Sequence, residues 1–119
     1  MQRQIFVFGS NLAGRHGAGA AKTALKKHQA IYGEGYGLQG NSFAIPTKDK
    51  QLKSLPLETI ELFVEHFKKF AMNHPNLIFN VTAIGCGLAG YNPAQIAPFF
   101  KQCTKNVLLP KQFKDILDV

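Results

Sequence analysis

Two apolar runs of this chain end in glycine-rich segments, and this repeated pattern constrains the fold more than any other feature. Residues 5–8 precede a segment with glycines at positions 9, 14, 17 and 19, and residues 77–84 precede one with glycines at 85, 87 and 90. A short continuous apolar run predicts a strand that is buried on both faces, as in a parallel sheet. A predicted helix follows each segment, so the sequence contains two strand–loop–helix units.

Three helices are predicted. The first spans about residues 20–31, which are rich in Ala, Lys and Leu. Residues 57–71 carry apolar side chains at three- and four-residue steps, which predicts an amphipathic helix, with Ser54 as its cap and Pro56 in its first turn. Asn92 and Pro93 are typical of a helix start, and this third helix is predicted to run to about Thr104.

The remaining segments are predicted to be short strands and loops. Strands are expected at residues 42–45, where Pro46 ends the strand, and at residues 107–109. Segment 33–42 holds four glycines and is expected to have no regular structure. Residues 111–119 fit either a helical turn or an irregular tail.

The order β-α-β-α-β-α-β predicts an α/β fold. We expect a three-layer α-β-α domain with a mostly parallel (mixed) sheet, formed by residues 1–119 as a single domain. Ligands of such sheets bind beyond the carboxyl ends of the strands. The turns at residues 9–19 and 85–91 are therefore expected to open on the same edge of the sheet.

The chain is basic, with a formal net charge of +7 from 14 Lys and Arg against 7 Asp and Glu. Such a charge attracts anions, so nucleic acid, free nucleotides and acidic surfaces are candidate partners. The lysines are scattered, and the absence of a long basic run argues against a dedicated nucleic-acid-binding arm. A small-molecule nucleotide is therefore the preferred partner, with nucleic acid as the alternative.

Cysteine and histidine spacing gives no sign of a metal site. Cys86 and Cys103 form no C-x-x-C pair, and the histidines lack ligand spacing, so neither a metal nor a cofactor is expected. No apolar stretch is long enough for a signal segment or a membrane span. The expected location is cytoplasmic, with both thiols free and no membrane partner.

Glycine-rich turns between a strand and a helix suit phosphate groups. Without Cβ atoms the backbone approaches a ligand closely, and the free N–H groups and the helix dipole favour an anion. Arg15 and His16 lie in the first turn and offer further donors. Neither a P-loop nor a strict G-x-G-x-x-G pattern is present. The alternative is that these glycines serve only tight turns and close packing of helix on sheet.

Residues 8–12 and 14–21 resemble the first ligand loop of macrodomains, and residues 83–91 are similar to their second loop. The resemblance extends over about residues 5–109. It implies that the chain binds ADP-ribose or a related phosphate-bearing nucleotide, with Asn11 at the distal ribose and Tyr91 closing the pocket. The ligand contacts that it implies are Gly9, Ser10, Asn11, Gly17, Ala18, Gly19, Gly85, Cys86, Gly87, Leu88, Ala89, Gly90 and Tyr91. Asn11 fits equally well as a turn residue that holds its own backbone.

The resemblance supports binding more than catalysis. One large class of macrodomain hydrolases has an Asp just before a Gly-Ala pair, and Ala18 stands at that position here. The acidic residue that binds adenine in macrodomains has no clear counterpart. The candidate catalytic residues that remain are His16, as an acid or base, and Asp49, as a carboxylate that orients water. Each also fits a plain role, as a phosphate-contacting or exposed histidine and as a solvated charge.

Two further features are open to more than one interpretation. Cys86 lies between glycines before a helix start, where the pKa of a thiol is lowered, and a nucleophile there would need His16 as its base. The alternative is a small residue where bulk is not tolerated. Segment 33–42 is expected to be a lid or a plain flexible loop. As a lid, it would stack Tyr36 on a base and read adenine through Glu34 or Gln39.

Four functions follow. The leading expectation is that the protein binds an ADP-ribose-like nucleotide, with or without hydrolysis of an ADP-ribosyl or phosphate linkage. The first alternative is an enzyme that removes a phosphate or an ADP-ribosyl group through His16 or Asp49. The second is a basic nucleic-acid-binding module without catalysis, which the net charge favours. The third is a structural or interaction protein whose glycine loops bind nothing.

Overall fold

A mixed five-stranded sheet forms the centre of the protein, and the computed structural model describes residues 2–119. Its strands are β1 (Arg3–Asn11), β2 (Gly37–Gln39), β3 (Ser42–Lys48), β4 (Leu77–Val81) and β5 (Val107–Leu108), in the spatial order β2-β3-β1-β4-β5. Strands β3, β1, β4 and β5 run parallel, and β2 pairs antiparallel with β3. The predicted α/β class with a mostly parallel, mixed sheet is therefore confirmed.

Helices connect the strands of this sheet. Helix α1 (Gly19–Lys27) follows β1, and α2 (Leu57–Met72) joins β3 to β4. Helix α3 (Pro93–Ile96) and a 3-10 helix (Ala97–Phe100) join β4 to β5, and α4 (Lys111–Leu117) follows β5. None of the helices within residues 2–119 is long and apolar enough to cross a membrane.

Successive side chains of β1 enter two different hydrophobic clusters, because side chains alternate between the faces of a strand. Ile5 and Val7 pack with the apolar residues of α2 in the larger cluster. Phe8 packs with the alanines of α1 in the smaller cluster, and Phe6 packs against it. The continuous apolar run at residues 5–8 therefore reflects burial on both faces of the strand, as the sequence predicted.

Helix α2 buries one face but has no side-chain cap. Ile60, Val64 and Phe67 are fully buried at the spacing that predicted the helix. The prediction that Ser54 caps this helix is wrong, because Pro56 occupies the N-cap position. The Ser54 hydroxyl donates instead to the carbonyl oxygen of Ala89 at 2.5 Å, so the turn before α2 is bound to a distant loop.

Strand β3 continues through Pro46 to Lys48, whereas proline predicted its end at Ile45. Strand β2 pairs only with Ser42–Ala44, and beyond these residues β3 has on that side only an isolated bridge between Lys48 and Ser54. A proline has no N–H to donate to a neighbouring strand, and it is tolerated where the strand lies at the edge of the sheet. The extension of β3 carries Thr47 and Lys48 to the carboxyl edge of the sheet.

Other boundaries also differ from the prediction. Segment 33–42 contains β2 rather than only loop. Helix α1 ends at Lys27 instead of near residue 31, and Gln29 then adopts a left-handed conformation with φ of 58°. The third helix starts at Pro93 with the Asn92 cap, as predicted, but is short and ends in the 3-10 helix at Phe100. The tail adopts the helical alternative as α4.

Asn106 joins the end of α2 to the beginnings of β4 and β5. Its side-chain Nδ2 donates to the carbonyl oxygens of Ala71 at 3.0 Å, of His74 at 3.1 Å and of Leu77 at 3.1 Å. The residue is buried, and the carbonyl oxygens of Ala71 and His74 also accept from the backbone N–H groups of His74 and Leu77. The Asn106 side chain therefore adds several hydrogen bonds to this junction, each with a net contribution of about 0.5–1.5 kcal/mol.

We therefore expect Asn106→Ala to lower the free energy of unfolding by about 1–3 kcal/mol, measured by urea denaturation. Asn76→Ala is the matched control, since Asn76 is exposed in the same turn and its change is expected to have little effect. Equal free energies of unfolding for the two variants would contradict the structural role assigned to Asn106.

Candidate functional site

A groove of about 630 Å³ lies where the carboxyl ends of β1, β3 and β4 meet. Because these strands are parallel, their carboxyl ends reach the same edge of the sheet. The start of α1 and the loop after β4 form the sides of the groove. The lining residues are Gly9, Ser10, Asn11, Arg15, Gly17, Ala18, Gly19, Ala20, Ala21, Tyr32, Thr47, Lys48, Leu52, Thr82, Ala83, Ile84, Gly85, Gly87, Leu88 and Ala89.

Both predicted glycine loops contribute to this one groove. All the residues to which the resemblance assigned ligand contacts line it, except Cys86, Gly90 and Tyr91. The groove therefore brings together segments that are about 70 residues apart in the chain. Their role in binding stays a prediction, and the geometry determines which chemical groups they offer.

Asn11 holds the first glycine loop in shape. Its side-chain Oδ1 accepts from the backbone N–H of Arg15 at 2.9 Å, and its Nδ2 donates to the Arg15 carbonyl oxygen at 3.0 Å. The same residue lines the groove. The backbone-holding role is therefore present, although it spans four residues rather than the two of an Asx-turn. The predicted contact between Asn11 and a ribose is untested.

His16 lies behind the first loop and not in the groove. Its side chain is fully buried, with its ring edge-on to Phe8 at a centroid distance of 5.2 Å. Its Nε2 faces the carbonyl oxygen of Glu34 at 3.1 Å and Gln39 Oε1 at 3.2 Å. Because both neighbours are acceptors, Nε2 carries a proton and donates to them. The predicted acid or base therefore stands in the protein interior, without access to a groove-bound substrate.

Segment 33–42 packs against the back of the first loop instead of covering the groove. A Cβ atom at Gly35 would collide with the carbonyl oxygen of Asn11, so only glycine permits this approach. The Ser10 hydroxyl donates to the carbonyl oxygen of Gly35. The prediction of a lid is therefore corrected: Gly35 serves close packing between this segment and the first loop.

The side chains that were expected to read a base from this segment do not reach the groove. Tyr36 packs edge-on to Phe43 at 5.6 Å, and burial raises the pKa of its phenol. Gln39 is buried, donates to the Glu34 carbonyl oxygen at 3.0 Å and accepts from the Ile31 N–H at 2.8 Å. Gln39 therefore stabilises the interior of the loop, whereas Tyr36 packs on the sheet and remains 42% exposed.

Asp49 shapes a turn beside the groove and does not line it. Its Oδ1 accepts from the backbone N–H groups of Gln51 and Lys53, both at 2.9 Å. The carboxylate, predicted as a candidate to orient water, is thus used to fold residues 49–53. Lys48, directly before it, does line the groove.

The second glycine loop is closed at its base by backbone geometry. Gly85 has a positive φ of 75°, and its carbonyl oxygen accepts from the N–H of Tyr91 at 2.9 Å. The Tyr91 hydroxyl donates to the Leu55 carbonyl oxygen at 2.5 Å. Tyr91, predicted to close the pocket, therefore packs beneath the loop and links it to the segment before α2.

Cys86 is also turned away from the groove. It packs against the larger hydrophobic cluster, and burial raises the pKa of its thiol. The expectation of a lowered pKa is therefore wrong: the loop gives the sulfur an apolar environment rather than a cationic one. His16, the only base considered for a nucleophilic Cys86, is buried in the other hydrophobic region. The alternative role as a small packing residue fits this position.

The groove offers positive charge and free backbone donors. Arg15 and Lys48 line it, and none of its lining residues is Asp, Glu, His or Cys. The N–H groups in the first turn of a helix have no acceptor within the helix. No side chain caps α1, so these groups have no side-chain acceptor either. In the second loop, the N–H groups of Gly87, Leu88 and Ala89 make no hydrogen bond within residues 2–119. No cluster of three His, Cys, Asp or Glu among those residues is suited to a metal ion.

Sequence reasoning missed several residues that line the groove. Thr47 and Thr82 follow the buried cores of β3 and β4, and the rule that sites lie beyond carboxyl ends of strands was a signal for both. Their hydroxyls donate to backbone carbonyl oxygens, of Ser10 at 3.3 Å and of Val7 at 2.8 Å. Tyr32 and Leu52 belong to irregular segments, and no pattern in the sequence pointed to them.

The buried environment of Cys86 leads to a reactivity prediction. In a Cys103→Ser variant, we expect Cys86 to react with iodoacetamide more slowly at neutral pH in the folded protein than in the urea-unfolded chain, because a raised pKa leaves less thiolate. The rate is expected to keep rising with pH beyond the ordinary thiol value of 9.0. In the matched Cys86→Ser variant, burial raises the pKa of Cys103 to about 11, so its reaction should require still higher pH. A rate for Cys86 that reaches its plateau at neutral pH would contradict the assigned environment.

Comparisons with known proteins provide no further assignment. No protein-family model, no curated protein and no solved structure matches the chain. The groove itself, with its glycine loops, its two cations and its free backbone donors, is therefore the basis for assigning a function.

Proposed function

We propose that the groove binds ADP-ribose or a closely related phosphate-bearing nucleotide, in a macrodomain-like three-layer α-β-α domain. The observation that carries this proposal is the convergence of two glycine loops and the uncapped start of α1 on one groove without an acidic lining residue. A diphosphate needs many hydrogen-bond donors and tolerates no nearby carboxylate. Both conditions are met by the residues that line this groove.

The start of α1 is the best place for a phosphate group. The first turn of a helix combines free N–H donors with partial positive charge. Here the turn contains no acidic residue, and Gly17 and Gly19 leave open space where other residues would place a side chain. The N–H groups of residues 87–89 offer donors from the other side of the groove. Phosphate oxygens between the two loops would satisfy both sets.

The cations of the groove support an anionic ligand of small size. Arg15 and Lys48 are its only charged lining residues. The volume of about 630 Å³ lies within the range of about 300–1,000 Å³ that is usual for small-molecule sites. A folded nucleic acid makes phosphate contacts over a wider basic surface. The enclosed donors thus favour a single nucleotide over the nucleic-acid alternative that the net charge suggested.

We propose binding rather than hydrolysis as the activity of this groove. His16 and Asp49, the two candidate catalytic residues, do not line it, and Ala18 occupies the position where the related hydrolases carry an Asp. The hydroxyls of Ser10, Thr47 and Thr82 are bonded to backbone carbonyl oxygens. No carboxylate or imidazole among the lining residues is thus available to activate water as a general base.

Gly87→Glu tests the binding site directly. Nothing lies within 4 Å of the position where a Cβ atom at Gly87 would stand, and its φ is not positive, so the protein should fold normally. The added carboxylate lines the groove and repels phosphate. We expect the affinity for ADP-ribose, measured by calorimetry, to fall by about 100-fold or more. Gly87→Gln is the matched control, since it adds the same bulk without charge, and it should lose less affinity.

The same titrations separate the competing functions. Equal affinities for ADP-ribose in the wild-type protein and Gly87→Glu would contradict the proposed site. Tighter binding of a single-stranded oligonucleotide than of ADP-ribose, with a steep dependence on salt, would favour the nucleic-acid alternative. Turnover of an ADP-ribosylated substrate that His16→Ala or Asp49→Ala abolishes in a folded protein would favour an enzyme. Binding without turnover is the expected result.

A further inference from the structure

The turn before α2 and the second glycine loop form one connected wall of the groove. The Ser54 hydroxyl donates to the carbonyl oxygen of Ala89 at 2.5 Å, and the Tyr91 hydroxyl donates to that of Leu55 at 2.5 Å. The Asp49 carboxylate accepts from the backbone N–H groups of Gln51 and Lys53 and so holds the turn at residues 49–53, directly before Ser54. Two loops that are separate in sequence are therefore fixed to each other beside the groove.

Each of these joined loops presents a leucine to the groove. Leu52 is 44% exposed and Leu88 is 71% exposed, and both line the groove. Leu52 has a positive φ of 66°, a conformation that is unfavourable for leucine. Single exposed leucines are ordinary, but two on connected loops of one groove form an apolar surface that a ligand would remove from water. We call Leu52 and Leu88 the leucine wall.

We propose that the leucine wall receives the nucleobase of the bound nucleotide, an inference that rests on the proposed function. The remainder of the groove offers Arg15, Lys48 and free backbone N–H groups, which suit the anionic part of a ligand. A ligand that satisfies both regions carries phosphate groups and a planar apolar group. A nucleoside diphosphate derivative has this combination, whereas a sugar phosphate lacks the apolar group.

The position of the nucleobase at the leucine wall also predicts how selective the groove is among bases. The side chains that the sequence offered for reading a base, Glu34, Tyr36 and Gln39, do not line the groove. The leucine wall has no hydrogen-bonding group of its own. Base recognition therefore relies on apolar contact, which distinguishes a nucleotide from a sugar phosphate but discriminates little among bases.

The test compares ADP-ribose with ribose 5-phosphate, which shares the sugar and phosphate but has no base. Leu88→Ser and Leu52→Asn remove the apolar side chains, and Asn is chosen because it tolerates positive φ. We expect each variant to bind ADP-ribose about 5- to 10-fold more weakly and ribose 5-phosphate with unchanged affinity. Leu62→Ser is the matched control, since Leu62 is 63% exposed on α2 and does not line the groove.

The outcomes separate this inference from the proposed function. The inference is overturned if folded leucine variants retain wild-type affinity for ADP-ribose while Gly87→Glu abolishes it, and the proposed function then stands. Loss of base-dependent affinity in Tyr32→Ala, with none in the leucine variants, would place the base at Tyr32 instead. Equal losses for both ligands would also overturn it. Wild-type protein that binds no ADP-ribose overturns both proposals.

Discussion

The parallel pairing of β1 with both β3 and β4 is the constraint on which the remainder of the structure depends. Val7 pairs with Phe43 on one side and with Val81 on the other, so β1 is covered along both edges and on both faces. Such a strand has no position for a functional side chain until it ends. The three parallel strands β1, β3 and β4 end at the same edge of the sheet. The groove is the space between the segments that follow these strands.

The groove keeps its shape because each of its loops is bound from behind. Asn11 fixes the turn of the first loop, and the buried His16 ties that loop to segment 33–42. Tyr91 binds the second loop to the segment before α2 through the carbonyl oxygen of Leu55. Polar side chains that sequence reasoning assigned to the ligand thus hold the backbone, and the backbone presents its own N–H groups. A site built of main-chain donors needs this kind of support, because glycine-rich segments have little order of their own.

The sequence predicted the elements that local periodicity and burial determine. It did not predict the features that depend on contacts between residues far apart in the chain. The strand at residues 5–8, the apolar face of α2 and the Asn92 cap are local patterns, and the structure has all three. The extension of β3 through Pro46 depends on how far β2 reaches, which no local pattern reveals. His16 lies in a glycine loop and looked available, but the partners that bury it come from residues 34 and 39. Leu52 was missed for a similar reason, because its position at the groove depends on how the Asp49 carboxylate folds the turn.

The uncapped start of α1 has a consequence for the dynamics of the protein. A helix of nine residues is marginal on its own, and this one has neither a capping side chain nor an acidic residue in its first turn. Under the proposed function, an anion bound at this end would satisfy the free N–H groups, and occupancy of the groove would be linked to the local order of α1. Amide hydrogens in the first turns of α1 would then exchange more slowly in the liganded state than in the free one. Hydrogen exchange in this helix would report whether the groove is filled.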